Sequence, residues 1–577
     1  MTNKKNTGSY YTPKILSEFL SKHIVQKYLN ESNISILEPS CGDGEFVSSL
    51  FNHLDLNRVE NISIDLFDIN KIELDKAGAF IPLSDKISKG LHHQDYLKYY
   101  LENDNEYSLI IGNPPYIKRK SLKKSQLKSC DEVHKIFRDS NELITSNGKV
   151  NNIWIAFVEA AIMSLNQNGI LCFVIPSEVL QVKYAKELRA LIINKFDRVE
   201  VFAFNELIFK GIQQDVVVLV GVKGIDNINE HGFSFYQVDE LEDLKEPKFT
   251  EKHSNIHRTT LDKWTNYILT DEELDFIDTH RNEYNPILHY CDNAQVGIVS
   301  AANDYFILNN DDLKENQLNK LKHIVQPILP KGDVTPNIAF FNKDDYETLK
   351  NKNKNVNFLH FPDKPKEQFG KIAKKYFSIG EEWKEDKKGE LHKRYKMLKR
   401  NNWYHVPSVW SSEGMFVKRS HLYPRIFVND ADVLATDSFY RINTKEQFCI
   451  KKLVFSFYNS LTFVLAELEG RFYGGGVLEL TPNEFKYLSI PYSDNISDEQ
   501  FYILDKMLRD NIDIEDILSF TNSILIPHLN TIKLEEIRVK LVDRRIKKTT
   551  KNQDIDVEIF SLKQQQIEDL GQSVLVS

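Results

Sequence analysis

Ile36-Leu37-Glu38-Pro39-Ser40-Cys41-Gly42-Asp43-Gly44-Glu45-Phe46 runs an apolar strand straight into a glycine turn, and a helical pattern follows. Glycines there let the backbone approach a ligand with no Cβ in the way. The carboxyl end of a strand is where open α/β sheets bind ligands, so the turn reads as a cofactor loop. It is not the dinucleotide fingerprint, because the third glycine is missing and an acid precedes the turn. Glu38 ends the strand and is placed to hold a ligand's ammonium group. A Gly-x-Gly turn alone is a weak sign, and an ordinary strand–helix turn reads the same way.

Outward from that turn, short apolar runs alternate with helical patterns over the first 225 residues. The runs Ile34–Leu37, Ile62–Phe67, Leu109–Gly112, Gly169–Ile175, Val199–Phe204 and Val216–Val222 predict strands. Pro13–Asn30, Asn152–Asn166 and Ser177–Lys195 predict helices. This alternation predicts an α/β fold with a parallel sheet and helices on both faces. Residues 226–285 are polar and mixed and read as a linker or arm. From about Ala294 to Tyr492 short strand-like pieces alternate with polar loops. The chain from Ser497 onward reads as helical, with a Gln-rich tail.

The chain has 577 residues, 41% of them hydrophobic and 27% charged, a globular composition. No apolar run approaches the roughly 18 residues of a membrane helix, so no membrane partner is expected. Cys41, Cys130, Cys172, Cys291 and Cys449 are scattered and odd in number, which argues against a disulfide framework or a zinc site. The polar start lacks a signal peptide's apolar stretch, and a reduced, cytoplasmic protein is expected.

Asp68 lies at the end of the run Ile62–Phe67. An acid there can accept hydrogen bonds from both ribose hydroxyls of a nucleoside. Taken alone, such a residue is more often a helix N-cap. With the glycine loop it points to a nucleoside-containing cofactor. The sharpest signal is Ile110-Ile111-Gly112-Asn113-Pro114-Pro115-Tyr116. Two prolines after a buried strand make the loop rigid and extended. The Asn113 amide oxygen and the Pro114 carbonyl can both accept from an exocyclic NH2, and Tyr116 offers a flat face for a base.

These residues resemble the S-adenosylmethionine-dependent N6-adenine DNA methyltransferases, in the gamma-class motif order. Over its length the chain also resembles a clostridial orphan member of that class. The resemblance covers roughly residues 8 to 492. Gly8-Ser9-Tyr10-Tyr11-Thr12-Pro13 resembles the family's N-terminal cofactor motif. Asp95, in His93-Gln94-Asp95-Tyr96, matches the acid that meets the cofactor's adenine amine. Phe209, in Leu207-Ile208-Phe209-Lys210-Gly211, matches the second aromatic against the flipped base. Asn152–Pro176 resembles a helix-plus-strand segment of the catalytic half. Val296–Ser300, Tyr423–Ile426 and Gly470–Pro491 resemble the recognition domain. Ser40-Cys41 stands where many members have small apolar residues.

The resemblance implies a Rossmann-like, doubly wound and mostly parallel catalytic domain over 1–265. A mixed α+β target recognition domain follows over 266–495, completed by a helical segment, 496–577. It implies S-adenosylmethionine held by Tyr11, Thr12, Pro13, Glu38, Pro39, Cys41, Gly42, Asp68, Ile69, Asp95 and Asn113. The catalytic set is Asn113, Pro114, Pro115, Tyr116 and Phe209, with no metal. Double-stranded DNA is the expected partner, and a monomer the expected state, in a bacterial cytoplasm.

The net charge of −9 argues against wholesale nucleic-acid binding, but the charge is uneven. Tyr116–Lys128 holds six Lys or Arg and no acid. Lys364–Arg400 is strongly basic, with Trp383, Tyr395, Trp403, Tyr404 and Trp410 in or near it. A third basic cluster runs from Lys533 to Lys551. Such patches can contact phosphates or simply be solvated. Three rival readings stand beside DNA methylation. A fused nuclease would use Pro362-Asp363 with Glu382-Trp383-Lys384. An amino-methyltransferase for RNA or protein would use the same Asn-Pro-Pro-Tyr. A DNA-binding module would carry a dead catalytic half.

Overall fold

The computed structural model describes residues 11–141, 149–182, 185–209, 215–246, 250–254, 263–385, 389–473 and 476–550. They form two compact units: the second is Glu272–Arg545, and the first takes the described residues before Glu272 together with those from Ile546 onward.

The first unit is built on a nine-stranded sheet. In chain order its elements are α1 (Lys14–Lys27), β1 (Asn33–Glu38), α2 (Glu45–His53), β2 (Asn61–Phe67), α3 (Lys71–Ala79), β3 (Ile87–His92), α4 (Tyr96–Glu102) and β4 (Tyr107–Gly112). There follow α5 (Lys124–Ser140), α6 (Ile153–Met163), β5 (Leu165–Pro176), α7 (Lys186–Lys195), β6 (Arg198–Phe204), β7 (Val216–Val222), β8 (Gly232–Val238) and β9 (Thr250–Ser254). The strand order is β3-β2-β1-β4-β5-β7-β6-β8-β9. β4, β6 and β7 are buried at every residue, the mark of strands covered on both faces.

β1 pairs with β2 on one side and β4 on the other, both in parallel. The chain moves outward from β1 through β2 and β3, then returns to β4 beside β1. The strand order therefore reverses between β1 and β4, and a crevice opens at their carboxyl ends. Glu38 and Gly112 end those two strands.

Three differences from the sequence reading have physical causes. β7 runs antiparallel to both β5 and β6, so the sheet is mixed. The stretch read as a linker contains β8, parallel to β6, and β9, antiparallel to β8. The helix expected over Ser177–Lys195 is instead a tight 3-10 turn, Ser177–Leu180, and the separate α7. The Arg189 guanidinium fills that gap, donating to the carbonyls of Val179 (2.8 Å) and Val182 (3.0 Å).

The second unit has a five-stranded sheet in the order 291–296, 439–444, 414–417, 426–429, 340–341, and smaller sheets beside it. Helices Asp498–Arg509 and Ile514–Leu525 belong to this unit, as does the helix Thr531–Thr550 up to Arg545. Buried Asp505 accepts from the backbone N–H groups of Ala339 and Phe340, and Asn522 bonds to Ser460.

Candidate functional site

The crevice at β1 and β4 is a pocket in the first unit. Tyr11, Pro39, Ser40, Gly42, Asp68, Ile69, Gln94, Asp95, Tyr96, Asn113, Pro115, Ile117, Gln126, Ile153 and Phe157 line it. Of the residues expected at a cofactor, Tyr11, Pro39, Gly42, Asp68, Ile69, Asp95 and Asn113 lie on its wall. Gly8, Ser9 and Tyr10 lie outside the described residues.

The glycine turn is shaped by its neighbours. Gly44 has φ +84° and caps α2, and a Cβ there would lie 2.5 Å from the Ala77 Cα of α3. Gly42, at φ +51°, has the Tyr11 ring above it, 3.8 Å from where a Cβ would sit. A ligand lying along this turn meets backbone on one side and Tyr11 on the other. Cys41 is buried behind it, and burial pushes its thiol far above the ordinary range. That leaves Cys41 a packing residue.

Glu38 is 2% exposed and its Oε2 has no hydrogen-bond partner among the described residues. Burial, with the negative charges of Asp43 and Asp68 nearby, holds its carboxyl well above the usual range. A buried, unsatisfied carboxylate is costly unless a cation meets it. Asp68 does not cap α3; Asn70 does. Instead Asp68 accepts from the Gly42 N–H at 3.0 Å and the Asn70 N–H at 2.7 Å, tying β2 to the glycine turn. A carboxylate has about four acceptor sites, so two hydroxyls can still be met. Asp95 caps α4 by accepting from the Leu97 N–H at 3.0 Å. Burial raises the pKa of both acids.

Asn113 leaves β4 and is held from several sides. The Tyr116 hydroxyl lies 2.5 Å from Asn113 Oδ1, and Asn113 Nδ2 lies 3.4 Å from Thr12 Oγ1. Ser40 Oγ donates to the Asn113 carbonyl at 3.1 Å, joining the loops after β1 and β4. The Tyr116 hydroxyl also lies 2.8 Å from the Val174 carbonyl of β5. Its ring is 8% exposed, and Phe209 is 5% exposed. Neither ring presents the open face expected of it, because both pack in the core of this unit. Lys210 and Gly211 lie outside the described residues.

Sequence reasoning missed Ser40, Gln94, Tyr96, Ile117, Gln126, Ile153 and Phe157 as pocket residues. The spacing of Ile153 and Phe157 puts them on one face of α6, a pattern the sequence does contain. The basic patches resolve differently. In the third cluster Lys533 pairs with Glu272, Lys540 with Glu273, Arg538 with Glu515 and Glu535, and buried Arg545 with Glu467. These cations staple the last helix to its own unit. Asp363 takes the side-chain amides of Asn401 and Asn402, and Glu382 ends a helix. Among the described residues no group of three His, Cys, Asp or Glu could hold a metal, and no helix is long and apolar enough to cross a membrane.

A reversing sheet with a glycine turn, a strand-end acid on β2 and Asn-Pro-Pro-Tyr after β4 are the features in which the chain resembles S-adenosylmethionine-dependent methyltransferases. Two family models match, one in each half of the chain. Residues 22–209 match the family model described as Eco57I restriction-modification methylase. Residues 261–526 match that of the C-terminal domain of type II methyltransferase M.Eco57I. Type II methyltransferase M.AccI of Acinetobacter calcoaceticus is 24% identical over 91% of this chain and 94% of its own length. M.HindII of Haemophilus influenzae is 27% identical over 55% of this chain and 58% of its own. A solved complex of DrdV with DNA shares the fold at TM-score 0.52 and 13% identity, over 88% of this chain and 58% of that one. The chain is similar to type II restriction-modification methylases in both halves, and S-adenosylmethionine is its cofactor.

Proposed function

We propose that the protein methylates N6 of adenine in duplex DNA, at a specific sequence, with the base flipped out of the helix. The observation that carries this reading is the placement of Asn113: it lines the cofactor pocket and begins Asn-Pro-Pro-Tyr, its amide held by Tyr116 and Thr12. The residues fit the cofactor. The unsatisfied Glu38 would meet its ammonium group, Asp68 its ribose, Gly42 and Tyr11 its backbone-side face, and Asp95 its adenine amine. S-adenosylmethionine supplies an electrophilic methyl group on a sulfonium.

The N6 lone pair of adenine is delocalised into the ring and is a poor nucleophile. Asn113 Oδ1 and the Pro114 carbonyl accept its two hydrogens and turn the lone pair out of the ring plane. An amide oxygen can accept twice, so Tyr116 and the substrate can share Oδ1. Pro114 and Pro115 keep the loop from relaxing. The bound cofactor would supply the methyl group, its sulfur keeping the electron pair of the bond that breaks, and N6 would shed its extra proton to water after transfer, so no strong base is required. Positioning of this kind supplies much of the rate.

Flipping costs a few kcal/mol, and stacking returns about 1–3 kcal/mol per base. Tyr116 and Phe209 are the stacking pair in this reading, and the base must displace what now covers them. Residues 1–265 act as the catalytic domain, 266–495 as the recognition domain and 496–577 as its helical completion, in one monomer. The relatives at 24–27% identity do not single out the clostridial orphan enzyme. The test is methyl transfer to unmethylated DNA with the product base identified, beside total RNA and Asn113→Ala. N6-methyladenine in DNA, lost in the variant, supports the reading. Label in RNA refutes it.

A further inference from the structure

The five aromatics of the basic stretch in the second unit do not share one fate. Tyr404 stacks on Phe377 at 4.0 Å, Trp383 and Trp403 pack against Tyr305, and Trp410 lies under the Arg441 guanidinium at 3.7 Å. Tyr395 alone is open, at 76% exposure, and Leu398, three residues on, is 68% exposed. Residues three apart share one face of a helical turn, so the two side chains stand together. The turn Tyr395–Leu398 does not project them through looseness. Met397 is buried on its inner side. Arg400 clamps it by donating to the carbonyls of Ser300 (2.7 Å) and Trp403 (3.1 Å).

The charge around this face is one-sided. From Leu391 to Ser412 the chain has five Lys or Arg and no acid, in a protein with 83 acids. Lys396 and Lys399 are exposed and pair with no carboxylate among the described residues. Lys399 Nζ sits 5.5 Å from the Tyr395 ring centroid. Exposed apolar side chains are common on this surface; what sets these two apart is the unpaired lysines beside them. A second copy of this acidic chain could offer carboxylates to the lysines, and the association state in the test below reads that outcome. Duplex DNA fits both features: phosphates for the lysines, and a groove or base step for an apolar wedge.

We propose that the turn Tyr395–Lys399 is a DNA-contacting element of the second unit, in which Lys396 and Lys399 meet phosphates while Tyr395 and Leu398 enter the groove. This rests on the DNA reading above and assigns it a surface. The experiment uses the full chain with a fluorescent mixed-sequence duplex and measures affinity against salt. Lys396→Ala/Lys399→Ala lowers the slope of log affinity against log salt by about 1.8, at ~0.9 per phosphate. Tyr395→Ala/Leu398→Ala weakens binding by about tenfold and leaves the slope alone, the scale of one lost stacking contact.

Thermal melts keep a folding defect apart from a binding one. The proposal is overturned if both variants bind with unaltered affinity and slope while methyl transfer to DNA persists. It is equally overturned if light scattering shows that Tyr395→Ala/Leu398→Ala breaks a dimer and nothing else. Duplex binding altered as stated, in a protein that transfers no methyl group to DNA, sinks the reaction assigned above and leaves this surface standing.

Discussion

Glu38→Gln separates the account from a merely structural reading of the crevice. The carboxyl is buried, has an unsatisfied oxygen and is held well above the usual range by burial and by Asp43 and Asp68. Cofactor-free protein therefore keeps a proton there that the unfolded chain has lost. With a folded pKa above the unfolded one, stability is complete below the ordinary carboxylate range. It then falls by about 1.4 kcal/mol per pH unit until the folded pKa is passed. Gln removes that slope, so the variant without cofactor is the more stable protein at alkaline pH. Cofactor binding moves the opposite way. An ammonium group needs the ionised carboxylate, so binding expels the proton and tightens about tenfold per pH unit below the raised pKa. Losing a charge-assisted hydrogen bond of about 1.5–3 kcal/mol weakens binding roughly 10- to 150-fold in the variant. Calorimetric titration in two buffers of different ionisation enthalpy reads both effects. Binding with no proton release, a pH-independent affinity and an unimpaired Gln variant would refute the reasoning.

Three further outcomes follow from the geometry. Tyr116→Phe keeps the ring but removes the hydroxyl between Asn113 Oδ1 and Val174. It costs about 1–3 kcal/mol for the unsatisfied acceptors and lowers kcat more than it raises the KM for cofactor, which steady-state kinetics separates. Burial would raise the pKa of Glu200, but His23, Lys27, Tyr28 and Arg198 bond to it and hold it below the usual range. Its contribution is therefore present above the ordinary carboxylate range and lost as pH falls through the depressed value. Glu200→Ala removes the carboxylate facing Arg198, which keeps only neutral acceptors such as Ser234, and costs about 3–5 kcal/mol in urea unfolding, a loss that shrinks in acid. Arg545→Ala leaves buried Glu467 unpaired, which costs a similar ~3–5 kcal/mol, seen as a lower melting temperature of the second unit.

The strands that the sequence announced are those buried on both faces, where apolar runs are unbroken. β3 escaped notice because Ile87-Ser88-Lys89-Gly90-Leu91-His92 is a polar edge strand. β8 escaped because its aromatics sit between polar turns. The direction of β7 is not written in Val-Val-Val-Leu-Val-Gly-Val, which reads alike both ways. It was legible in the connection from Phe204 to Val216, which is short for the crossover a parallel pair requires. At the site, Asp68 and Asn113, which follow strand ends, stood out because topology puts them at the crevice. The burial of Tyr116 did not, because it depends on a carbonyl of β5, 58 residues away. The third basic cluster misled for the same reason: Glu272, Glu273 and Glu467 lie far from it in sequence.

The most direct measurement is transfer of labelled methyl from S-adenosylmethionine to unmethylated genomic DNA, followed by digestion to nucleosides. The account predicts label in N6-methyladenine, absent when Asn113→Ala replaces the enzyme. Label in another base or in RNA, or transfer that survives the Asn113→Ala substitution, would contradict it.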